Sequence, residues 1–366
     1  MKKFAVLLIA SLASCTHDSV APAPESVQTN FSPETIHLGE EGPEKAVPIL
    51  FSKETPGSGT IGISISSGLA AYGVHFTTMP QAVNGKILLK AETGREKVEL
   101  TVITINNTTI DGPIEVDLTI ESTEGPLKKG DLLTQKLVIS DDEAEGASKG
   151  YITTWENWKY KRFFSYTPDG RIARIYWEQQ TPYPLSGHYD YYYRENGQLE
   201  KMSSPDLSET RYFYENDRIV KEEEYRHGVL TRFADYGYDP AGNVASARIY
   251  QRTPSGEIAP VSLIEYLYFS DGNLYRQLTY LPGSSGNPVL LSARTYENYL
   301  AAENPFPLEI LPNISAQPML PGSYTLEENG TTLQYNFTYE FDSEGKPVKR
   351  ITSSSTGPEV SVYRYF

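Results

Sequence analysis

A short aromatic motif recurs through the second half of the chain. In YGYDPAGNVASAR, residues 236–248, two aromatics one residue apart precede a turn of Asp, Pro and Gly, and an apolar residue follows. Five units place the aromatic pair six and four residues before a glycine, and a sixth fits with a turn one residue shorter. The pairs are Phe164 and Tyr166, Tyr191 and Tyr193, Tyr212 and Tyr214, Tyr236 and Tyr238, Tyr266 and Tyr268, and Tyr339 and Phe341. Such a series predicts similar units that stack one after another.

Each column of the motif has a physical role. Aromatics two residues apart project from one face of a strand, where they pack against neighbouring strands. Glycine adopts the positive φ that a tight hairpin turn requires. Two residues beyond the apolar position, a basic residue such as Arg174 or Lys201 can lie over an aromatic ring or pair with a carboxylate. Each unit is therefore predicted to be one hairpin, and since a lone hairpin buries too little surface, the hairpins should join into one sheet.

These units resemble the YD repeats of RHS-type proteins, whose hairpins join into a long coiling sheet. The resemblance covers roughly residues 160–280 and 335–366. RHS shells have many more repeats and end in an enclosed toxin, whereas we expect no toxin here. For 151–366 the resemblance therefore implies a shorter antiparallel sheet, either open and curved or closed into a barrel-like wrap.

The N-terminus has the layout of an export signal. MKKFAVLLIASLASC carries two lysines, an apolar run from Phe4 to Ile9 and small residues before Cys15. Its apolar core is shorter than the about 20 residues that a spanning helix needs. Leu12–Cys15 resembles the lipobox of bacterial lipoproteins, which implies removal of residues 1–14 and lipidation of Cys15. The resemblance also implies an anchor in a Gram-negative outer membrane, on either its periplasmic or its cell-surface side. An ordinary signal peptide with an incidental cysteine is the alternative.

Residues 15–30 are rich in Pro, Ala and Ser and are predicted to be a flexible tether. Cys15 is the only cysteine, which excludes a disulfide or a cysteine metal cluster within one molecule. The formal charge is −15, and removal of two lysines with the signal peptide makes it more negative still. A chain this acidic is a poor candidate for binding a nucleic-acid backbone.

Aromatic residues divide the rest of the chain in two. Tyr72 is the single tyrosine before residue 150, although the chain has 27 tyrosines, and all three tryptophans also lie after residue 150. The first part, residues 31–145, alternates apolar and polar residues; in IEVDLTIES, Ile114, Val116, Leu118 and Ile120 share one face. This period predicts half-buried antiparallel strands, and several of them in about 110 residues indicate an all-β sandwich of immunoglobulin type.

YGVHFTTMP, the run from GKILLKAETG to DLTIES, and KLVISDDE resemble successive strands and the closing acidic signature of Calx-beta domains. Some members of that family bind calcium at one end of an immunoglobulin-like sandwich. Carried over by position, the candidate ligands are Glu41, Asp111, Asp141, Asp142 and Glu143. The chain departs from the pattern at His75, Asn106 and Asn107, where calcium-binding members carry acids. The alternative is that the closing acids only end a strand at a solvated linker, so no cofactor is expected apart from this calcium candidate.

A Pro-rich range, 281–324, interrupts the repeat and is predicted to be an insertion, with a short helix around Thr295–Ala302. Long irregular segments are often functional loops, although covering an exposed sheet edge explains this one nearly as well.

Sequence motifs for catalysis are absent. No GxSxG elbow, HExxH motif or phosphate loop occurs, and no two of the five histidines have zinc-ligand spacing. Glu222, Glu223, Glu224 and Asp239 offer carboxylates for glycoside cleavage, yet each is one of 47 acids. We therefore expect no enzyme activity and keep a glycoside-directed hydrolase or lyase, with its cleft beside 281–324, as the alternative.

A cluster of aromatics supplies candidate ligand-binding residues: Trp177, Tyr183, Tyr189 and Tyr192. Exposed aromatic rings stack on sugars or anchor protein partners, whereas inward rings form the sheet's own packed face. Tyr192 should face away from Tyr191 and Tyr193 because side chains alternate along a strand. The sequence thus favours a lipid-anchored envelope protein that binds a glycan or a protein through an aromatic-rich sheet.

Overall fold

The computed structural model describes residues 26–68, 70–143, 150–180, 185–283, 286–306, 310–312 and 316–366. The predicted signal peptide, Cys15, most of the tether and Tyr183 lie outside these residues. The described chain is all-β, as predicted, with 26 strands. In this part of the chain there is no helix of the length and apolar character needed to cross a membrane.

Two five-stranded sheets form the first part of the molecule, in the orders β5-β7-β3-β1-β9 and β2-β10-β8-β4-β6. Their strands are Val27–Phe31 (β1), Ile36–Gly39 (β2), Lys45–Phe51 (β3), Gly59–Ser67 (β4), Phe76–Met79 (β5), Lys86–Ala91 (β6), Lys97–Thr104 (β7), Ile114–Glu124 (β8), Leu127–Lys129 (β9) and Thr134–Ser140 (β10). The inner faces meet in one aliphatic core, as the alternating pattern predicts. In β8, Val116 and Leu118 are completely buried while Glu115 is exposed.

The second part is a closed barrel in which every strand pairs with its neighbours in sequence and β11 pairs with β26. The strands are Ile152–Asn157 (β11), Tyr160–Tyr166 (β12), Ile172–Gln179 (β13), Leu185–Tyr193 (β14), Leu199–Ser203 (β15), Ser208–Glu215 (β16), Arg218–Arg226 (β17), Val229–Tyr238 (β18), Val244–Arg252 (β19), Ile258–Tyr268 (β20), Leu274–Pro282 (β21), Pro288–Glu297 (β22), Ser323–Glu328 (β23), Thr331–Phe341 (β24), Pro347–Ser354 (β25) and Gly357–Tyr365 (β26). Of the two predicted forms, open sheet and barrel-like wrap, the structure has the closed one.

Each motif unit is one hairpin, and all six turns lie at the same end of the barrel, which we call the turn end. The turn glycines have positive φ, for example 81° at Gly170 and 96° at Gly242. The short sixth unit turns through Asn216 and Asp217, at φ 48° and 62°. Two successive residues with positive φ are typical of a two-residue hairpin turn, which explains why this unit is one residue shorter.

The first aromatic of each pair points into the barrel. Phe164 is fully buried, and Tyr212 and Tyr266 are 3% and 7% exposed. The residue after each turn is also buried, as at Ile172 and Val244. Every unit has a register shift just before its second aromatic, such as the one between Gly237 and Tyr238. This repeated bulge brings the second aromatic and the buried post-turn residue together at the turn end.

In three units the second aromatic joins one hairpin to the hairpin before it. The Tyr193 hydroxyl donates to the Ile172 carbonyl oxygen (2.8 Å), Tyr238 to Ile219 (2.7 Å) and Tyr268 to Val244 (2.9 Å). Tyr299 and Tyr365 make the same bond to Leu274 and Pro347, both outside the recognised pairs. We call this contact the tyrosine latch. It gives a part-buried phenolic hydroxyl the hydrogen-bond acceptor that such a group needs.

The basic column lies on the outer face, where both predicted partners occur. Lys221 Nζ lies 2.6 Å from a Glu223 carboxylate oxygen and 4.7 Å from the Phe233 ring centroid. Lys201 contacts Glu209 and lies 5.1 Å from the Tyr192 ring centroid. These contacts connect neighbouring strands on the outer face of the barrel, whereas the paired aromatics of the motif pack inside it.

The Pro-rich range divides into a hairpin and a shorter insertion. Strand β22 extends to Glu297, so the predicted helix around Thr295–Ala302 is wrong. Residues 298–322 connect β22 to β23 and reach the barrel interior, where Phe306 packs against Trp155 (5.8 Å) and Phe164 (6.0 Å). The Leu274 amide donates to the carbonyl of Ala316. The described part of the insertion thus packs into the turn end of the barrel through Phe306 and Ala316.

The sandwich meets the barrel through the loop that precedes β8. Ile110 and Tyr166 form a β-bridge with amide-to-carbonyl distances of 2.7 and 2.9 Å. Gly112 lies so close to Phe366 that a Cβ atom would approach its ring to 2.3 Å. At the opposite end of β8, the Val27 amide donates to Pro126. The N-terminal entry to the sandwich therefore lies at the end away from the barrel.

Candidate functional site

A cavity of about 550 Å³ lies among strands β13 to β18. Its lining includes Trp177 and Tyr189 on one side and Glu222 and Arg232 on another. Small-molecule sites in proteins have volumes of about 300 to 1,000 Å³. This barrel cavity is therefore large enough to hold a ligand.

Trp177 and Tyr189 form its aromatic wall. Their ring centroids are 6.4 Å apart with an interplanar angle of 30°. Trp177 pairs with Gly187 across the ladder, and a Cβ atom at Gly187 would come within 2.9 Å of the indole. The missing side chain lets the indole lie flat against the strand. Trp177 Nε1 is buried without a hydrogen-bond partner among the described residues.

The four aromatic candidates separate in the structure. Trp177 and Tyr189 share the cavity. Tyr192 is 44% exposed on the outer face, whereas neighbouring Tyr191 is 8% exposed and points inward, as the alternation predicts. Tyr183 lies outside the described residues. The sequence cluster therefore contributes one pair to the cavity and a separate residue to the outer surface.

The cavity's innermost polar group is an ion pair between neighbouring strands. Arg232 Nη1 lies 2.7 Å from Glu222 Oε1, and Glu222 is 9% exposed. Tyr236 is beside this pair: burial, followed by the Glu222 charge, raises the pKa of its phenol far above the ordinary range. Burial raises the pKa of Tyr212 strongly as well. Both phenols are therefore neutral hydrogen-bonding groups at physiological pH.

Nearer the solvent, the charged groups of the cavity also have partners. Arg226 lies 3.3 Å from Glu224, and Asp206 accepts a hydrogen bond from the Ser208 amide at 3.2 Å. Hydrogen bonds from Ser204 and Ser208 hold the pKa of Asp206 below its usual value, although burial opposes them. The lining therefore carries charges of both signs, mostly compensated within the protein.

Next to the insertion lies a much smaller space. It measures about 120 Å³ and is lined by Phe306, Leu320 and Arg350 among others. That volume is below the range of about 300 to 1,000 Å³ for small-molecule sites. None of the residues lining the larger cavity comes from 281–324. The barrel cavity is therefore a different space from the cleft predicted beside the insertion.

At the barrel-facing end of the sandwich, four carboxylates come together: Glu40, Asp141, Asp142 and Glu143 offer oxygens within 4.8 Å of one another. Three of these were predicted as calcium ligands. Glu41 was predicted in place of Glu40, but Glu41 is exposed and accepts a bond from Asn106 (2.8 Å). Both residues lie in the turn that follows β2, and this turn buries the Glu40 side chain, which is 4% exposed, while Glu41 stays outside.

Protein donors already contact these acids. Both Asp111 and Gly112 amides donate to Asp141 Oδ2, at 2.7 and 2.8 Å, and the Glu143 amide donates to Oδ1. The Asn107 amide group donates to Glu40, and His75 Nε2 lies 3.2 Å from Asp111. His75 and Asn107 are the positions that depart from the calcium-binding pattern, and here they satisfy the carboxylates themselves.

The environment of Glu40 nevertheless disfavours its ionised form. Burial first, and then the charges of Asp141, Asp111, Glu143 and Asp142, raise its pKa to about 7. Calcium takes six to eight oxygen ligands, but Asp111 is outside the four-carboxylate group and Asp141 already accepts three amide bonds. The donor set therefore fits calcium poorly.

Sequence reasoning missed two residues of the barrel cavity. Arg232 was not singled out, although it lies four residues before Tyr236 and so shares its inward face. Gly187 had no visible signal because its role depends on the pairing register with Trp177. Glu222 was noted as a possible carboxylate for glycoside cleavage, with no sign that it lies inside the barrel beside an arginine.

No protein-family model and no curated protein matches the chain. Among solved structures, the apo form of the Calx CBD1 domain matches at 17% identity, with 32% of this chain and 99% of that one covered, at a TM-score of 0.28. A porin-like protein from Bacteroides uniformis ATCC 8492 matches at 13% identity, with 60% and 98% covered and a TM-score of 0.43. A Photorhabdus luminescens Tc holotoxin pore matches at 14% identity, with 65% and 13% covered and a TM-score of 0.28. At these values none of the likenesses carries a functional argument.

Proposed function

We propose that the protein is a lipid-anchored component of a Gram-negative cell envelope that binds a glycan or a segment of a protein in its barrel cavity. The observation that carries the proposal is the cavity of about 550 Å³ with the Trp177–Tyr189 wall. Stacked aromatic rings give a ligand a large contact area, and polar groups placed among them fix its orientation.

The arrangement of the two parts supports an anchored role. Chain entry at Val27 and the barrel contact at Ile110 lie at opposite ends of the sandwich. Strand β8 has 11 residues, and at about 3.3 Å per residue it spans roughly 33 Å. The sandwich would then hold the barrel at that distance from the tether and from the proposed lipid.

Binding is tested with the unlipidated mature chain on arrays of glycans and of envelope proteins. We expect at least one saturable ligand, whose binding is lost in Trp177→Ala. Trp158→Ala is the matched control, since Trp158 is 62% exposed in the turn between β11 and β12. Equal binding by the two variants would show that the ligand does not bind in the barrel cavity.

Anchoring is tested by Cys15→Ser. We expect this variant to be soluble and unacylated, while the unaltered chain fractionates with the outer membrane. Protease treatment of intact cells then reports which side carries the protein. An acylated, membrane-bound Cys15→Ser variant would refute the lipoprotein assignment.

A glycoside-directed hydrolase or lyase is the competing proposal, because Glu222 and Glu224 both line the cavity. Glycoside cleavage commonly needs one carboxylic acid that donates a proton and a second, ionised carboxylate. Each of these acids already lies within ion-pair distance of an arginine: Glu222 is 2.7 Å from Arg232, and Glu224 is 3.3 Å from Arg226. This pairing supports binding over cleavage. Release of new reducing ends or of unsaturated products from a bound glycan, abolished in Glu222→Gln, would reverse that preference.

A further inference from the structure

We infer that the barrel cavity receives the terminal residue of a neutral glycan, with the sugar ring on Trp177 and its hydroxyl groups against the Glu222–Arg232 pair. This inference rests on the proposed function, since it names the ligand of the same cavity. Three features of the lining carry it: a flat aromatic face, a compensated ion pair and a closed inner end.

The flat face comes from the pairing of Trp177 with Gly187. Because Gly187 has no side chain, the indole lies against the strand, and Tyr189 continues the surface at a ring-centroid distance of 6.4 Å. A broad aromatic surface suits the C–H face of a pyranose ring, which is apolar and nearly planar. An extended peptide offers no equivalent flat face.

The ion pair offers donors and acceptors side by side. Arg232 uses one of its five N–H donors on Glu222 at 2.7 Å, and a carboxylate has about four acceptor positions. Adjacent hydroxyls of a sugar can accept from the guanidinium and donate to the carboxylate at the same time. Thr210 and Tyr212 add hydroxyl groups to the same lining.

Charge in the cavity favours a neutral ligand. Glu222 is compensated by Arg232 and Glu224 by Arg226. Asp206 remains as an acid with hydrogen bonds but no cation within ion-pair distance among the described residues. Among the described residues that line the cavity, there is therefore no excess of positive charge to attract a uronate or a phosphate.

Burial along the lining distinguishes a closed end from a mouth. Tyr212, Thr210 and Glu222 are 3%, 8% and 9% exposed, whereas Leu185 is 62% exposed. A ring that reaches Glu222 has protein behind it, so the glycan continues only toward Leu185. The site therefore accepts a chain end and not the middle of a polymer.

Isothermal titration calorimetry of the unlipidated mature chain tests the inference with maltotriose, cellotriose and mannotriose, and with trigalacturonic acid as the charged probe. We expect at least one neutral trisaccharide to bind, and trigalacturonic acid to bind at least about tenfold more weakly. Glu222→Gln and Trp177→Ala should each weaken the neutral ligand by about tenfold or more. Tyr192→Ala, on the outer face, should leave affinity unchanged.

Melting temperatures of all variants separate lost binding from lost folding, and only variants that melt like the unaltered chain are scored. Preferred binding of trigalacturonic acid, or of a peptide, with dependence on Trp177 would overturn the neutral-sugar inference and leave the proposed cavity function standing. Chemical reduction of the sugar at the trisaccharide's reducing end, which should lie outside the cavity, should not change the affinity. A strong effect of this reduction on affinity would overturn the chain-end orientation. Failure of every glycan and protein on the arrays would instead refute the proposed function itself.

Discussion

The sandwich and the barrel solve the problem of a buried core with different side chains. The sandwich core is mostly aliphatic, with Val47, Ile61 and Ile63 completely buried. The barrel core is built largely from tyrosine, phenylalanine and tryptophan, many of them only partly buried. An aliphatic side chain has no polar group to satisfy, whereas each inward tyrosine brings a hydroxyl that needs a partner.

Barrel size explains the choice. About eight strands enclose a space that side chains just fill, while 16 strands enclose much more. The barrel has strands β11 to β26, and long aromatic side chains with the insertion occupy its turn end. The other part of the interior keeps a cavity. Under the proposed function, the sandwich supports the barrel and the barrel binds the ligand.

The largest expected effect breaks the barrel without touching the sandwich. Tyr236→Ala/Tyr238→Ala removes an inward ring beside Glu222 and one tyrosine latch, and core aromatic truncations cost about 3–5 kcal/mol each. We expect the barrel to lose cooperative unfolding. All three tryptophans lie in the barrel, so tryptophan fluorescence reports its unfolding, while calorimetry should retain the sandwich transition.

Tyr192→Ala is the control for this change, because Tyr192 is 44% exposed and contacts Lys201 on the outer face. It should alter the free energy of unfolding by less than about 0.5 kcal/mol. Equal losses in the control and the double variant would contradict the inward and outward assignment.

Sequence alone predicted the repeated part of the barrel well. Six hairpins, the glycine turns of five of them, and the opposite faces of Tyr191 and Tyr192 follow from local spacing. Barrel closure did not, because β11 and β26 pair across more than 200 residues and neither belongs to a complete motif. The latch was also missed, since it depends on a bulge that shifts the register by one residue.

Site residues followed the same rule. Trp177 and Tyr189 are near in sequence and were predicted together, whereas Arg232 joins them only through the order of strands in the barrel. In the sandwich, the acidic ending was visible, but Glu40 replaced Glu41 because the backbone after β2 turns the former inward. Contacts between distant segments are what spacing alone does not supply.

A medium effect concerns the pH dependence of the sandwich. Burial and neighbouring acids raise the pKa of Glu40 to about 7. The folded state then binds more protons than the unfolded chain between about pH 4.5 and pH 7, so its stability falls as pH rises through this window. We expect a loss of about 1–2 kcal/mol between pH 5 and pH 8, measured on the sandwich transition by calorimetry.

Glu40→Gln keeps an acceptor for Asn107 and removes the charge. It should flatten the pH profile of the sandwich and stabilise it at pH 8, while the fluorescence melt of the barrel stays the same. An unchanged slope in this variant would place the titration at another group of the cluster.

A smaller effect isolates the latch from the ring that carries it. Tyr238→Phe keeps the aromatic packing and deletes the hydroxyl that donates to Ile219 at 2.7 Å. A net intramolecular hydrogen bond contributes about 0.5–1.5 kcal/mol, so the barrel should lose about 1 kcal/mol in denaturant unfolding followed by tryptophan fluorescence. Tyr250→Phe is the control, because its ring stacks on Phe233 at the outer face; a comparable loss there would show that the latch has no special role.

The smallest expected effect is that of calcium on the sandwich. Its acidic cluster has four carboxylates, but the Asn107 amide group already donates to Glu40, and Asp141 accepts three backbone amides. A cation would have to displace these donors, and His75 stands beside Asp111 where another acid would have helped. We therefore expect micromolar calcium to leave the melting temperature of the sandwich unchanged and to give no saturable heat in calorimetric titration. The double substitution His75→Asp/Asn107→Asp should create binding if these two residues are what opposes it. Saturable micromolar binding by the unaltered chain, with a rise in melting temperature, would instead show that calcium displaces the protein donors from these carboxylates. The sandwich would then be a calcium-binding domain as well as a support for the barrel.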